Sequence, residues 1–228
     1  MSAILTFDNV STVSHAGDRD VRVEGVSFSL EPGEMVLVHA DHESEEVPFL
    51  DLATGLVVPD CGQISFAGQD WCAMHDAAQL KARSRIGTLA KEQVWLANQT
   101  VLRNVLLAQR HHTSRAEQEL EAEADALAQA VGLEEVPRSR PDAVPPRRLR
   151  MAGWVRAFIG NPALLVLMFP EQEAMSSWPG ILNDLLQSAL SGGAAAVVVS
   201  DQAELWELPV MRSAQHYGME KGGWAKLL

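Results

Sequence analysis

The fold is decided by the stretch 55–68, GLVVPDCGQISFAG, and by the segments on either side of it. Gly55 ends a predicted helix that begins at Pro48, because a first helical turn tolerates proline and a glycine stops a helix. The turn Pro59–Gly62 then leads into a predicted strand over Gln63–Phe66. The stretch therefore predicts the end of a helix, a tight turn and a strand in quick succession.

The segments upstream supply the strands that this helix follows. EPGE at 31–34 is a predicted turn, and the apolar run MVLV at 35–38 is a predicted buried strand. Polarity alternates over Ile4–Val10 and Val21–Leu30, which predicts two antiparallel strands. A loop over 39–46 separates the buried strand from the helix. The order of strand, loop and helix is typical of an α/β sheet.

Further apolar runs predict that the sheet continues near the other end of the chain. Ile86–Leu89, Leu164–Met168 and Ala195–Val199 are predicted buried strands, whereas the pattern is helical from about Val101 to Val131 and over Arg147–Gly160. We therefore expect an α/β fold with N-terminal antiparallel strands and an inserted helical subdomain, in a single domain. The expected division is a sheet lobe of about 1–90 and 160–228 and a helical subdomain of about 91–159.

Composition limits the classes of function. A hydrophobic content of 47% with 21% charged residues is typical of a folded soluble protein, and a net charge of −12 argues against a nucleic-acid partner. Two cysteines, Cys61 and Cys72, form no disulfide framework, so a reducing compartment is expected. No signal peptide and no apolar run of about 20 residues is visible, so we expect a cytoplasmic chain.

These segments resemble the ATPase subunits of ABC transporters, most closely those of bacterial lipid-trafficking (MCE-type) systems. EPGE and its strand are similar to the family's lead-in to the phosphate loop, and 55–68 is similar to the phrase that follows that loop. Further likenesses lie at Thr100–Val105, Ala130–Leu133, Asn161–Leu167 and Val197–Ser200. The resemblance covers roughly residues 3 to 205 and implies a P-loop NTPase-like ABC ATPase fold.

The family's nucleotide-binding residues are replaced at the positions that the resemblance aligns. Glu46 stands at the phosphate-loop lysine, and Val47 and Pro48 stand at the hydroxyl residues that hold Mg²⁺. One carboxylate about 4 Å from a phosphate costs on the order of 4 kcal/mol at intermediate dielectric. The remaining replacements are Met168 and Phe169 at the Walker B carboxylates, Lys91 at the Q-loop glutamine, Met175 at the D-loop aspartate, Asp201 at the switch histidine and His15 near the adenine-stacking aromatic. This pattern predicts a pseudo-ATPase that is not an enzyme and binds neither ATP nor Mg²⁺.

The signature motif is also changed. VPPRR at 144–148 stands where the family has a Ser-Gly-Gly run opening a helix, and its prolines lack the amide hydrogens that would face a phosphate. LSGGA at 190–194 spells a signature motif but follows the strand Leu164–Met168. We therefore predict that 190–194 is only a helix end.

The resemblance also implies a permease whose short coupling helix enters a groove beside the helical subdomain. The candidate partner-binding residues are Trp95, Leu96, Val101 and Asn104, with Arg147 and Arg148. These two arginines belong to a basic cluster with Arg138, Arg140 and Arg150, which is either a solvated helix start or a docking face for an acidic partner or anionic lipid. Trp95→Asp is expected to release the chain from its partner.

The leading hypothesis is a catalytically inactive subunit with a structural or regulatory role in a membrane transport complex. It would sit on the cytoplasmic face of the inner membrane, bound to a permease or an active ABC ATPase subunit, and reach the membrane only through these partners. One alternative is a weakly active, remodelled ABC ATPase in which Lys91 or the arginine cluster meets the phosphate charge. Another is a free-standing cytosolic interaction protein. No metal site is expected, because nothing fixes a ligand geometry in the acidic loop.

Overall fold

The computed structural model describes residues 2–16, 19–40, 49–170, 178–220 and 223–227. The strands in these ranges are β1 (Leu5–Ala16), β2 (Arg19–Leu30), β3 (Met35–Ala40), β4 (Cys61–Phe66), β5 (Gln69–Asp70), β6 (Ile86–Leu89), β7 (Leu164–Met168), β8 (Ala195–Ser200), β9 (Gln215–Glu220) and β10 (Gly223–Lys226). The α-helices are α1 (Phe49–Ala53), α2 (Asp76–Arg83), α3 (Val101–His112), α4 (Glu117–Ala130), α5 (Pro146–Phe158) and α6 (Trp178–Ser191). The described strands form a sheet in the order β5-β4-β1-β2-β10-β9-β3-β8-β7-β6.

The sheet has an antiparallel and a parallel half. β1 pairs antiparallel with β2 and with β4, whereas β9, β3, β8, β7 and β6 are successively parallel. β10 is antiparallel to β9 and meets β2 in one residue pair, Gly223 with Glu24. This arrangement confirms the predicted α/β fold with N-terminal antiparallel strands.

The parallel strands are apolar on both faces because each face is covered. In β3, Val36 and Val38 pack with the N-terminal strands and α1, whereas Leu37 packs with the helices on the other face. β7 and β8 are buried throughout. Continuous apolar runs are the pattern expected of a sheet covered on both sides, and they place these strands at the centre of the molecule.

Three helices, α3 to α5, lie between β6 and β7. The helical pattern predicted over Val101–Val131 is two helices, because α3 ends at His112 and α4 starts at Glu117. Thr100 caps α3 by accepting a hydrogen bond from the Arg103 amide at 3.2 Å, as N-terminal threonines do. α5 packs against both other helices and against β6. It therefore joins the helical segment to the edge of the sheet.

Other differences from the predicted elements are local. β1 continues to Ala16 through bulges, with Asn9 at φ 49°, so the first strand is longer than predicted. β9 and β10 were not predicted. α6 ends at Ser191, and Gly193 follows with φ 90°, so 190–194 is a helix end as expected.

Candidate functional site

The carboxyl ends of β3, β7 and β8 lie together at one edge of the parallel sheet, where α/β proteins bind their ligands. Residues 41–48 after β3, and Met175 in the segment after β7, lie outside the described residues, as does the side chain of His15. Asp201 directly follows β8 and accepts a hydrogen bond from Gln202 Nε2 at 2.8 Å. We call this region the carboxyl edge.

Phe169 has an unusual backbone at the end of β7. Its φ is 48°, in the left-handed region that bulky residues rarely adopt, and its amide donates to Val199 O at 2.8 Å. The Lys91 ammonium lies 5.4 Å from the centre of its ring. Met168, Phe169 and Pro170 carry no side-chain oxygen, so they offer Mg²⁺ no side-chain ligand at the end of β7. Within the described ranges, no group of three His, Cys, Asp or Glu residues could hold a metal ion.

The segment 90–96, which leaves β6, runs without helix or strand. Lys91, Glu92, Gln93 and Trp95 line a cleft of about 340 Å³ against the start of α5, together with Pro146, Leu149 and Arg150. Val94 and Leu96 face a second cavity on the other side. We call these the α5 cleft and the edge groove.

The edge groove lies between the sheet edge and α3, with a volume of about 310 Å³. Its walls are Ser84, Ile86, Gly87, Thr88, Val94, Leu96, Asn104, Val105, Leu107, Ala108, Gln109, Arg156, Ile159 and Pro162. Three of its apolar side chains are open to solvent, since Val94 is 81%, Leu96 47% and Leu107 39% exposed. A clustered set of exposed apolar side chains is typical of an interaction site.

The candidate partner-binding residues fall in different surroundings. Leu96 lines the edge groove, but Val101 is completely buried and Asn104 is 6% exposed. Asn104 fixes the loop before α3: it accepts from the Leu96 amide at 2.7 Å and donates to Leu96 O and Thr100 O at 3.2 and 2.9 Å. Asn104 lines the groove wall, whereas Val101 lies in the core behind it, and both have almost no surface to offer a partner. Their role in partner binding stays a prediction.

Trp95 lines the α5 cleft and not the edge groove. The Arg156 guanidinium lies 4.4 Å from the centre of its ring, and Arg156 also donates to Val94 O at 2.8 Å. Burial lowers the pKa of Arg156. Val94, which the sequence analysis did not select, occupies the exposed position expected of a docking residue. The sequence KEQVWL at 91–96 carries no regular alternation that would have distinguished Val94 from Trp95 and Leu96.

The arginine cluster is divided by the structure. Arg147 and Arg148 are exposed in the first turn of α5, whereas Arg150 is 5% exposed. Arg138 forms ion pairs with Glu121, Asp125 and Glu135 at 3.1, 3.3 and 3.5 Å. Its hydrogen bond to Glu121, with the charges of Glu121 and Asp125, raises the pKa of Arg138. The basic surface is therefore smaller than the sequence predicts, and the roles of Arg147 and Arg148 remain predictions.

Comparisons with known proteins identify relatives over most of the chain. It is 32% identical over 189 residues to the lipoprotein-releasing system ATP-binding protein LolD of Ruegeria pomeroyi, covering 82% of each chain. It is 26% identical to the phosphonates import ATP-binding protein PhnC 2 of a Synechococcus species, covering 73% of this chain and 64% of that protein. The dimeric ATP-binding cassette MJ0796, bound to ADP and Pi, matches with a TM-score of 0.83 at 20% identity over 98% of this chain and 99% of its own. No protein-family model matches.

These relatives contradict the prediction that the chain is not an enzyme and binds neither ATP nor Mg²⁺. LolD and PhnC 2 are both named ATP-binding proteins, and the MJ0796 cassette is bound to ADP and Pi. The prediction was based on single side chains, above all Glu46, which lies outside the described residues. Phosphate loops hold their ligand through backbone amides as well as side chains, so replaced side chains alone do not decide whether a loop binds phosphate. The prediction that the chain is not an enzyme and binds neither ATP nor Mg²⁺ was therefore wrong.

The fold and the relatives agree on one family. The described architecture is that of an ABC ATPase cassette, and a relative above 30% identity covers four fifths of the chain. None of the described helices is long and apolar enough to cross a bilayer. The chain belongs to the ATP-binding subunits of ABC transporters, a family of ATPases that work together with membrane permeases.

Proposed function

We propose that the chain is an ABC ATPase subunit that docks on a membrane permease through the edge groove. The observation that carries this proposal is the exposure of Val94, Leu96 and Leu107 in one cavity between the sheet edge and α3. Covering a Val or Leu side chain completely contributes about 1.5–3 kcal/mol, so these three residues can provide much of a docking free energy.

The wall of the groove also favours an apolar occupant. Arg156 is its one charged lining residue among the described ones, and its guanidinium is occupied by the Trp95 ring and Val94 O. The volume of about 310 Å³ accommodates a few side chains rather than a whole domain. These features support a short apolar segment of a partner, such as the permease helix that the family resemblance implies.

Membrane association of charged groove variants tests the docking. We expect the tagged chain, expressed in its own cells, to sediment with membranes and to co-purify after mild solubilisation with a polytopic membrane protein. Val94→Asp and Leu96→Asp should each lower the co-purified amount at least tenfold, because a carboxylate in an apolar interface is desolvated without a partner. Their stability should stay within about 0.5 kcal/mol of the wild type, as for other exposed positions.

Leu80→Asp is the matched control, because Leu80 is an apolar residue 56% exposed on α2 that does not line the groove. It should retain the membrane protein. An equal loss of the co-purified membrane protein in Leu80→Asp and Val94→Asp would show that the edge groove is not the docking site. A chain that never sediments with membranes would instead favour the free-standing interaction protein.

ATP binding at the carboxyl edge is the second half of the proposal. Since Glu46 stands at the usual lysine position, another cation has to meet the phosphate charge, and Lys91 lies at this edge beside Phe169. Titration calorimetry with ATP and Mg²⁺ should show saturable binding, weakened several-fold by Lys91→Glu but not by Val94→Asp. No heat at millimolar ATP would overturn this half and leave the docking half standing.

The transported substrate is proposed only as a class. The resemblance to lipid-trafficking systems and the lipoprotein-releasing relative both support a lipid or lipid-modified cargo. The phosphonate-import relative, which is less similar, does not share that cargo. Identification of the co-purified permease would test this choice directly.

A further inference from the structure

The edge groove is built from parts of the chain that lack acidic residues. Its lining residues fall in three stretches of sequence that contain no Asp or Glu, namely 77–91, 93–116 and 143–170. The chain as a whole has 30 acidic and 18 basic residues, so an acid-free surround is a local property of this region. A surface that carries only positive charge favours a partner of the opposite charge.

Arg103 stands at the rim of the groove. It lies one helical turn before Leu107, which lines the groove, and therefore on the same side of α3. Its side chain is exposed, and its guanidinium donates to Gln99 Oε1 in a long hydrogen bond of 3.4 Å. None of the ion pairs between described residues includes Arg103. Its charge is therefore available to a docked molecule.

Arg156 places a second cation in the wall of the groove. Its guanidinium lies over the Trp95 ring and donates to Val94 O, and both of these groups are uncharged. Burial lowers the pKa of Arg156, as expected of a cation that is partly removed from water. None of the described carboxylates forms an ion pair with it. A nearby anion would therefore stabilise this charge.

Other arginines of the helical segment are neutralised within the chain. Arg110 and Arg115 pair with Glu117 and Glu123 of α4, and Arg138 pairs with acidic residues of the same helix. The acidic face of α4 thus meets the cations on its own side. The cations at the edge groove have no such counterpart among the described residues.

The position of Arg103 is unfavourable for α3 itself. It lies in the first turn, which has no acidic residue, although the helix dipole favours Asp or Glu there and disfavours a cation. Thr100 already accepts a hydrogen bond from the Arg103 amide at 3.2 Å, so a glutamate at 103 would complete a capping box. Local helix energetics therefore argue against arginine, and such exceptions are expected at functional positions.

We propose that the segment which docks in the edge groove is apolar at its centre and acidic at its edge, with a carboxylate that pairs with Arg103. The apolar side chains enter the groove, and the ion pair forms at the rim. An uncharged segment of the same shape lacks this pair, and a basic one is repelled, so Arg103 selects among partners. The existence of a docked protein segment rests on the proposed function, to which this inference adds the charge of the partner.

Reversal of the charge at Arg103 in the tagged full chain tests this inference. The amount of membrane protein that co-purifies should fall at least fivefold in Arg103→Glu and about twofold in Arg103→Gln, because reversal adds repulsion whereas glutamine only removes attraction. The melting temperature of Arg103→Glu should equal or exceed that of the wild type, because the new capping box stabilises α3. Arg212→Glu, an exposed arginine before β9 that does not line the groove, is the matched control and should retain the membrane protein.

Salt provides an independent measurement on the same complex. Raising NaCl from about 0.1 to about 1 M shortens the screening length from about 10 to about 3 Å and should lower the co-purified amount for the wild type at least threefold. Arg103→Gln should respond less to salt, because the contacts that remain are apolar.

Three results distinguish the failure of this inference from the failure of groove docking. Retention of the membrane protein in Arg103→Glu, while Val94→Asp still releases it, would refute the acidic partner and leave the docking groove standing. Retention in both variants would refute groove docking and the inference together. Sedimentation with protein-free vesicles of phosphatidylglycerol, abolished by Arg103→Glu, would show that Arg103 binds lipid and would rule out a protein carboxylate as its partner.

Discussion

The edge groove and the carboxyl edge both border the segment 90–96, through Leu96 and Lys91 respectively, but they are built differently. The groove is shaped by backbone and packing: an edge strand, a capped helix and a loop held by Asn104. The carboxyl edge depends on individual side chains at strand ends, such as Phe169 and Asp201, and on residues 41–48 beyond the described ranges. The shape of the groove depends on many residues, so replacing one exposed residue changes it little. The chemistry of the carboxyl edge depends on a few side chains, so an interpretation of single residues can misjudge it.

The largest expected effect is from a change that reaches both regions. A Cβ at Gly87 would lie 1.8 Å from Ala157 O, so Gly87→Ala has to push α5 away from β6. We expect a loss on the order of 3 kcal/mol in the free energy of unfolding, measured by urea denaturation, and weaker docking and ATP binding together. Gly180→Ala, where nothing lies within 4 Å, should cost nothing. Unchanged stability of Gly87→Ala would refute the close packing of α5 on β6.

A smaller effect is expected at Asn104, whose side chain lies in the wall of the edge groove. Asn104→Ala leaves the Leu96 amide without its acceptor, whereas Leu96 O and Thr100 O keep the amides of residues 99 and 104 as donors. We expect a cost of about 2 kcal/mol in thermal or urea unfolding. Docking should weaken with it, whereas ATP affinity should change less than twofold. Asn98→Ala, at an exposed position in the same loop, is the control. Equal losses of docking and ATP binding would show that Asn104 supports the whole fold rather than the wall of the groove.

The smallest effect is expected at Tyr217 of β9, the strand that pairs with β3. Burial raises the pKa of Tyr217, the chain's single tyrosine, above its usual value of 10.0. The unfolded chain then loses this proton first, so the native state binds more protons and stability falls as pH rises above about 10. The free energy of unfolding of Tyr217→Phe, measured by urea denaturation, should fall less steeply between pH 9 and 11. If the free energy of unfolding fell equally with pH in the wild type and in Tyr217→Phe, the raised pKa of Tyr217 would be contradicted.

The fold was predictable where apolar runs are continuous. β3, β6, β7 and β8 stand close to where their sequences predict them, because a strand covered on both faces needs apolar residues throughout. β9 and β10 were missed, because QHYGME at 215–220 mixes polar and apolar residues and carries no such run. The break between α3 and α4 was missed because the helical pattern continues across Thr113–Ala116.

The site was less predictable, because its contacts join distant parts of the chain. Arg150 was grouped with surface arginines, yet it binds carbonyls sixty residues earlier, at Ala90, and nineteen later, at Phe169. A single sequence shows charge but not the partner across such distances. Trp95 and Leu96 were grouped as neighbours, although they line different cavities. The predicted loss of ATP binding was wrong for a related reason: it judged a composite site from isolated residues.

The seam between the two halves of the sheet has a mechanical consequence. β2 and β10 share one backbone pair, but rings cross the gap: Phe28 and Trp224 have centroids 5.9 Å apart, and Phe49 and Trp224 6.1 Å. Ring packing is far less directional than a ladder of hydrogen bonds, so it tolerates small rotations without losing its contacts. We therefore expect this seam to tolerate a small rotation between the antiparallel and parallel halves more readily than the hydrogen-bonded ladders on either side of it do.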